Sequence, residues 1–390
     1  IFIDRGYNNH IVYSNYGVIL KSLNKLKEAE ILQRKAVKLK PDLAKLHCNL
    51  GNILRDLGKL KEAELSQRNA IKIEPSSPYA FCNLGSILID LGKSKEAEIP
   101  TRRAIEIKPD FYEAYYNLGI ILIDLGKSKE AEKSLRQAIK FKSDFALAYN
   151  NLGGLLRNLG NFQEAEKLLK KAISIKPDLA IAHNNLAALL RDSGKFNQAI
   201  KRYEKSLKID SNLSSSKWGL IKSKGAICDW SNQEIINRWL QTLGLNGSSV
   251  ISLDLFPYED NPFRQLQRAK NLYKEKYIKS AQKFEKYKNK KIHIGYFSAD
   301  FRSHPMMFLM GSMFKLHDKS KFEIFLYSFV DKEDEYTQIA KESGCIYRDI
   351  KDLNDIETVQ LARSDQLDIA IDRMGYVRGH RINIFSYRVA

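Results

Sequence analysis

The sequence predicts an α-solenoid of paired helices followed by a partial α/β Rossmann-like region, and three observations carry that reading. The tripeptide Asn15-Tyr16-Gly17 returns as Asn49-Leu50-Gly51, Asn83-Leu84-Gly85, Asn117-Leu118-Gly119, Asn151-Leu152-Gly153 and, altered, Asn185-Leu186-Ala187, each 34 residues after the last. Two alanine markers hold the same period, one at Ala29, Ala63, Ala97, Ala131, Ala165 and Ala199. The other runs through Ala36, Ala70, Ala104, Ala138 and Ala172, with Ser206 in the last copy. From Lys291 onward the pattern changes to short apolar runs alternating with helical stretches, which argues for a parallel sheet.

The repeats fill residues 10–213 as six units. Small residues at the markers let two helices approach closely, while Leu50, Leu54 and Ile71 supply a buried stripe at helical spacing. Leu57-Gly58 ends the first helix of a unit with a left-handed cap, and Pro75 stops the second. Pro41, Pro109 and Pro177 repeat that stop, with Ser143 and Ser211 in the other two units. Pro100 falls inside a second helix, where a kink or a lost hydrogen bond is expected. His47 and His183 share a repeat position with Tyr13, Phe81, Tyr115 and Tyr149, which makes them packing residues rather than metal ligands. The asparagines at positions 15, 49, 83, 117, 151 and 185 are the sharpest polar feature. An amide both donates and accepts, so a ladder of six can pair with the backbone of an extended peptide.

Residues 214–290 read as a helical junction. It opens on a turn or linker at 211–216 and carries Trp218, Trp230 and Trp239. A helical stretch over 262–288 mixes lysines with Tyr273, Tyr277, Phe284 and Tyr287. Such a mixture can bind single-stranded nucleic acid, but a solvated face with an aromatic packing stripe is the preferred reading.

In the last region, strands are expected at 291–298, 322–329, 345–347 and 367–372, with helices at 305–317, 333–343 and 355–363. Ligands of such sheets bind beyond the carboxyl ends of the strands. The first loop there contains Asp300 and His304. Pro305 suits the opening position of a helix, so His304 sits at its N-terminus, able to exchange protons near neutral pH or donate to a phosphate oxygen. The last loop offers Gly375, Arg378, Gly379 and Arg381 to an anionic ligand, without P-loop spacing.

Composition sets outer bounds. The 390 residues carry 64 Lys and Arg against 46 Asp and Glu, a net charge of +18, which favours anionic partners. Four cysteines without a CxxC pair predict a reducing, cytoplasmic setting. No apolar run approaches the ~20 residues of a membrane span. The chain opens on Ile1, so residues preceding it are expected.

The repeat markers match the tetratricopeptide (TPR) pattern. The asparagine ladder resembles the groove of protein O-GlcNAc transferases, and Cys228-Asp229-Trp230 resembles that family's junction. GYFSADFRSHP, ending at Pro305, and LDIAIDRMGYVRGHR, ending at Arg381, are similar to two catalytic segments of glycosyltransferase family 41. The resemblance implies the N-terminal lobe of a two-lobed GT-B enzyme over 291–390. Such an enzyme transfers GlcNAc from UDP-GlcNAc to Ser or Thr of proteins with inversion. It uses no metal or cofactor and holds its acceptor peptide in the TPR groove. It also implies that His304 is the active-site histidine and that Asp365 lies near the acceptor. Asp368 stands where animal members carry a second active-site histidine and bacterial relatives often carry Asp. Val377 replaces a usual Thr, and Val389 interrupts an Arg-Pro. The resemblance further implies that most UDP-sugar contacts belong to a second lobe beyond Ala390, without which the chain would not turn over. A non-enzymatic TPR scaffold is the rival reading, and a basic nucleic-acid binder ranks last.

Overall fold

A computed structural model describes residues 9–231, 233–245, 249, 255, 257–276, 287–374, 381–387 and 389. The chain divides into two compact units at Ser231/Asn232.

In the first unit, the period folds into six helix pairs. They are α1 (His10–Ser22) with α2 (Leu26–Leu39), α3 (Ala44–Asp56) with α4 (Leu60–Ile73), and α5 (Pro78–Asp90) with α6 (Ser94–Ile107). The series continues with α7 (Tyr112–Asp124) and α8 (Ser128–Phe141), α9 (Ala146–Asn158) and α10 (Phe162–Ile175), and α11 (Ala180–Asp192) and α12 (Phe196–Ile209). Both alanine markers are completely buried in every unit, and Ser206 is equally buried in the last. Glycine from the tripeptide meets the partner helix at van der Waals range. A Cβ on Gly119 would lie 2.7 Å from Leu135 Cδ2, and one on Gly153 would lie 2.7 Å from Leu169 Cγ. Gly58, Gly92, Gly126, Gly160 and Gly194 take positive φ at the turn inside each pair, and Asn24 does so in the first unit. His47 and His183 point Nε2 at the carbonyls of Pro41 (2.8 Å) and Pro177 (3.0 Å), tying each helix to the turn before it. Pro100 does not break α6, which has the same fourteen residues as α4 and α8. Burial raises the thiol of Cys48 to about 11 and that of Cys82 to about 12, so both stay protonated.

The repeat phase persists one helix longer than the sequence suggests. Residues 211–213 form a tight turn into α13 (Ser214–Ala226), which packs against α11 and α12. Buried Tyr203 presses on Gly219, which occupies in α13 the position asparagine holds in the six pairs. A charge ladder also runs between neighbouring units. Glu30 accepts from Arg34 (2.9 Å) in its own helix and from Lys59 (2.7 Å) in the next unit, while Arg34 reaches Glu62 (2.5 Å). Glu64 repeats the pattern with Arg68 and Lys93, and Glu98 with Arg102 and Lys127. After α13, Asp229 of the Cys-Asp-Trp motif accepts from the buried Lys224 (2.8 Å) and from the Ser231 N–H (2.9 Å).

The second unit begins with α14 (Gln233–Leu240) and α15 (Pro262–Lys276). The completely buried Arg268 holds them together. It donates Nε to Leu243 O (2.8 Å) and Nη2 to Leu240 O, and pairs with Glu259, which also binds Arg264 (2.6 Å). Tyr277 and Phe284 lie outside the described residues. Four parallel strands follow: β1 (Ile292–Ser298), β2 (Phe322–Ser328), β3 (Ile346–Asp349) and β4 (Ile369–Asp372), in the order β3-β2-β1-β4. Helices cover both faces, as parallel sheets require. Ile294, Tyr296, Ile324 and Leu326 pack under α16 (Pro305–Met310), α17 (Met313–Leu316) and α18 (Glu335–Lys341). Phe297, Phe325 and Tyr327 pack under α19 (Asp355–Ser364) and α20 (Asn383–Ser386). The single helix expected over 305–317 is therefore two short ones, separated at Gly311-Ser312.

Two measurements test these contacts. Gly119→Ala should lower stability by about 1–3 kcal/mol, because completely buried Leu135 must give way; the thermal midpoint by circular dichroism reads it. The carboxyls of Glu30, Glu64 and Glu98 are held below the ordinary value of 4.5 by hydrogen bonds and charge from their Arg and Lys partners, working against burial. A depressed carboxyl contributes stability above its unfolded pKa and loses it as pH falls through its folded one. The thermal midpoint should thus fall on acidification below 4.5, and a Glu30, Glu64, Glu98→Gln variant should show a shallower fall.

Candidate functional site

The order β3-β2-β1-β4 reverses direction at β1: the chain steps outward through β2 and β3, then returns to the other side of β1 with β4. That reversal opens a crevice beyond the carboxyl ends of β1 and β4, where open α/β sheets bind ligands. Asp300 and His304 leave the end of β1, and Arg373 leaves the end of β4 with its N–H on Phe297 O (3.1 Å).

The loop between β1 and α16 is fixed from several sides. The Asp300 N–H donates to Ser298 Oγ (3.0 Å), and the Ser303 N–H to Asp334 Oδ2 (2.6 Å). Asp334 is the N-cap of α18 in a capping box with Thr337, and these backbone donors, the Ser303 N–H first, hold its carboxyl below the usual range. His304 caps α16 in extended conformation, its Nδ1 accepting from the Met306 N–H (3.3 Å) and lying 3.6 Å from Asp300 Oδ2. With Nδ1 accepting, the neutral ring carries its proton on Nε2. In that tautomer Nε2–H is the donor left to the 39%-exposed side chain. Arg373 lies against the rings of Tyr296 (6.0 Å) and Phe314 (5.4 Å) and contacts Met310 Sδ (2.8 Å). Its Nη1 is buried with no hydrogen-bond partner, and burial lowers its pKa against the pull of Tyr296 and Asp300. Arg373 and His304 thus both neighbour Asp300 at the carboxyl edge, and a guanidinium with an unpaired donor is chemically suited to an anion. Arg373 did not stand out from the sequence; its signal is its place just past β4.

Asp365 and Asp368 are not at this edge. Both precede β4, so they sit at the amino edge of the sheet, about 16–20 Å away along β1 at ~3.3 Å per residue. Asp368 Oδ2 accepts from His293 N–H (2.9 Å) and Asn289 (3.0 Å). Asp365 is buried against Arg348 (2.6 and 3.1 Å) and Tyr327 OH (2.6 Å), and desolvation together with that carboxylate drives the tyrosine far above its ordinary range. Both expectations are corrected here: these carboxylates lock the amino edge. Arg381 is corrected likewise. It donates to Asp355 Oδ1 (2.9 and 3.0 Å), Ile350 O (2.9 Å), Leu353 O (2.8 Å) and Thr358 Oγ1 (3.0 Å), so all but one of its N–H groups are spent within the fold. Gly375, Arg378 and Gly379 lie outside the described residues.

In the solenoid, the asparagines lie on the first helices, where the amides of Asn49, Asn117, Asn151 and Asn185 reach the preceding unit. Asn49 donates to Ser14 Oγ (3.2 Å), Asn151 to Tyr116 OH (3.2 Å) and Asn185 to Asn150 Oδ1 (2.9 Å). Asn117 is buried and donates to Ser86 Oγ (2.7 Å) and Cys82 O (3.4 Å), so its amide is withdrawn from the groove. Asn15 is exposed and Asn83 half-buried. Asn151 and Asn185 line one cavity of about 280 Å³ with Ile120, Ile123, Leu155 and Arg157. The ladder therefore clamps neighbouring units with its N–H groups, and Asn151 and Asn185 keep a face on the cavity.

Among the described residues, no cluster of three His, Cys, Asp or Glu could hold a metal ion, and no helix is long and apolar enough to cross a membrane.

Helix-pair repeats joined to a parallel α/β unit with a cationic corner at its switch point define a TPR protein carrying a Rossmann-like domain. Tetratricopeptide repeat models match residues 11–43, 51–92, 78–111, 112–145 and 144–212, and the model described as Glycosyl transferase family 41 matches 264–390. The chain thus combines TPR repeats with a segment belonging to glycosyltransferase family 41. It is 32% identical over 116 residues to a UDP-N-acetylglucosamine–peptide N-acetylglucosaminyltransferase of Caenorhabditis elegans, covering 28% of this chain and 10% of that protein. It is 30% identical over 102 residues to the probable enzyme of that kind named SEC in Arabidopsis thaliana, covering 26% and 10%. The aligned stretches thus span about a tenth of these relatives. Among solved structures, the anaphase-promoting-complex assembly Cut9–Hcn1 aligns with TM-score 0.53 at 17% identity, covering 57% of this chain and 44% of that one, a likeness of fold alone.

Arg381→Lys should unfold the second unit earlier, by about 2–4 kcal/mol, because an ammonium cannot replace a fork serving four partners. Urea unfolding followed by tyrosine fluorescence measures it.

Proposed function

We propose that this chain is part of a protein O-GlcNAc transferase, in which the solenoid holds an extended acceptor polypeptide and the β1/β4 corner takes part in sugar transfer. The observation that carries this reading is the orphaned Arg373 Nη1 just past β4, on the same carboxyl edge as His304 and inside the segment that matches family 41. Relatives named for UDP-GlcNAc–peptide transfer support the donor and acceptor classes.

In the proposed reaction, a Ser or Thr hydroxyl oxygen attacks the anomeric carbon of UDP-GlcNAc. The bond to the diphosphate breaks with its electron pair passing to the phosphate oxygen, and the hydroxyl proton leaves to a base. His304 and Arg373 donate to the diphosphate as its charge develops, which is worth most in a site shielded from water. The Met306 N–H, which donates to His304 Nδ1 (3.3 Å), orients the ring. Asn151 and Asn185 offer their cavity to the acceptor backbone.

The test is transfer of labelled GlcNAc from UDP-GlcNAc to protein acceptors by the full-length gene product. His304→Ala should lower the rate by roughly 10²–10³-fold, the scale of losing one donor to developing charge. His304→Gln, which keeps an N–H donor but cannot act as a base, should recover part of the rate. Equal, complete loss in both would transfer the base role to His304. Binding of partners with no transfer by the wild type would favour the scaffold reading.

A further inference from the structure

The same inter-unit cleft occurs twice in the solenoid, once charge-balanced and once cationic. In the fourth unit it holds about 490 Å³, and its charged lining cancels, Arg102 and Lys133 against Glu106 and Glu130. Two units later its counterpart holds about 400 Å³ and sets four cations, Lys170, Lys201, Arg202 and Lys205, against Glu166 alone. Four changes at matching repeat positions produce the difference: Glu106 becomes Ser174, Glu130 becomes Gln198, Ser134 becomes Arg202 and Gln137 becomes Lys205. The inter-unit charge ladder ends here too. Ile200 stands where earlier units carry Glu30, Glu64, Glu98, Glu132 and Glu166. Lys170 is matched by Glu166 (2.6 Å), so three cations remain over a floor of Leu186 and Leu190. Buried His183, driven below its ordinary pKa first by desolvation, also feels Arg202 and Lys205.

We propose that this cleft docks an acidic segment of a partner protein, apolar side chains on the Leu186/Leu190 floor and carboxylates on Lys201, Arg202 and Lys205. The apolar Leu186/Leu190 floor favours an amphipathic acidic peptide over a nucleic-acid backbone, which offers no aliphatic side chains to it. The cleft is distinct from the asparagine cavity, which the first helices line.

The probe is a fluorescent peptide of alternating Glu and Leu, titrated against the full chain by anisotropy. A Gln198→Glu, Arg202→Ser, Lys205→Gln variant, which balances the charge of the cleft, should bind at least tenfold more weakly, and the salt dependence of binding should flatten. The reverse variant Glu130→Gln, Ser134→Arg, Gln137→Lys should gain binding, which keeps the test open if the first variant folds poorly. Binding unchanged within twofold in the first variant, or no gain in the second, overturns the proposal. So does oligo-uridine RNA that binds as tightly and is weakened equally.

Discussion

Everything in the first unit depends on how closely two helices can approach. A residue larger than alanine at Ala63 or Ala70, or a side chain at Gly119, would push the pair apart, and the error would repeat through the stack because each unit packs on the next. Complete burial of both alanine markers shows this constraint met six times, with Ser206 as the single substitution. The residue facing the tripeptide glycine changes instead, from Gln33 and Gln67 to Thr101, Leu135 and Leu169. In the sixth unit, where Ala187 replaces that glycine, Tyr203 fits because α13 offers Gly219. Backbone spacing is held constant while side-chain chemistry at the interface drifts.

That separation leaves the surface free to vary. The glutamates that bridge neighbouring units satisfy the array's own Arg and Lys without touching the core. Where the bridging stops in the sixth unit, positive charge is left over. The net charge of +18 is thus unevenly useful: through the first units much of it is matched by carboxylates of the next repeat, and the surplus surfaces near the end of the array.

The period, the helix pairs and the strand order were legible because each is a repetition, and repetition survives local ambiguity. The site was legible only in part. His304 and Asp300 were readable from Pro305 and a preceding strand, since a helix start after a strand end fixes both. Asp365 and Asp368 were misplaced although their position just before β4 already assigned them to the amino edge; sequence similarity outweighed that geometry. Arg381 looked available because a sequence shows a guanidinium but not its acceptors, three of which come from the loop and helix start after β3. Asn117 looked like its siblings, and only the placement of Ser86 and Cys82 withdraws it. Arg268 was unreadable for the same reason: its acceptors are backbone carbonyls 25 and 28 residues away.

The two sheet edges show how one fold keeps stability and chemistry apart. At the amino edge every carboxylate is spent: Asp365 on Arg348 and Tyr327, Asp368 on the β1 backbone. Removing Asp365 would leave the buried Tyr327 hydroxyl unpaired and cost stability. At the carboxyl edge the polar groups are anchored but not exhausted. His304 uses one ring nitrogen to cap α16 and keeps the other, and Arg373 is braced by two aromatic rings yet leaves Nη1 unpaired. An unpaired buried donor costs stability on its own, by about 1–3 kcal/mol. Its persistence at a topological switch point, on the sheet edge that also carries His304, is what the proposed oxyanion ligand would account for.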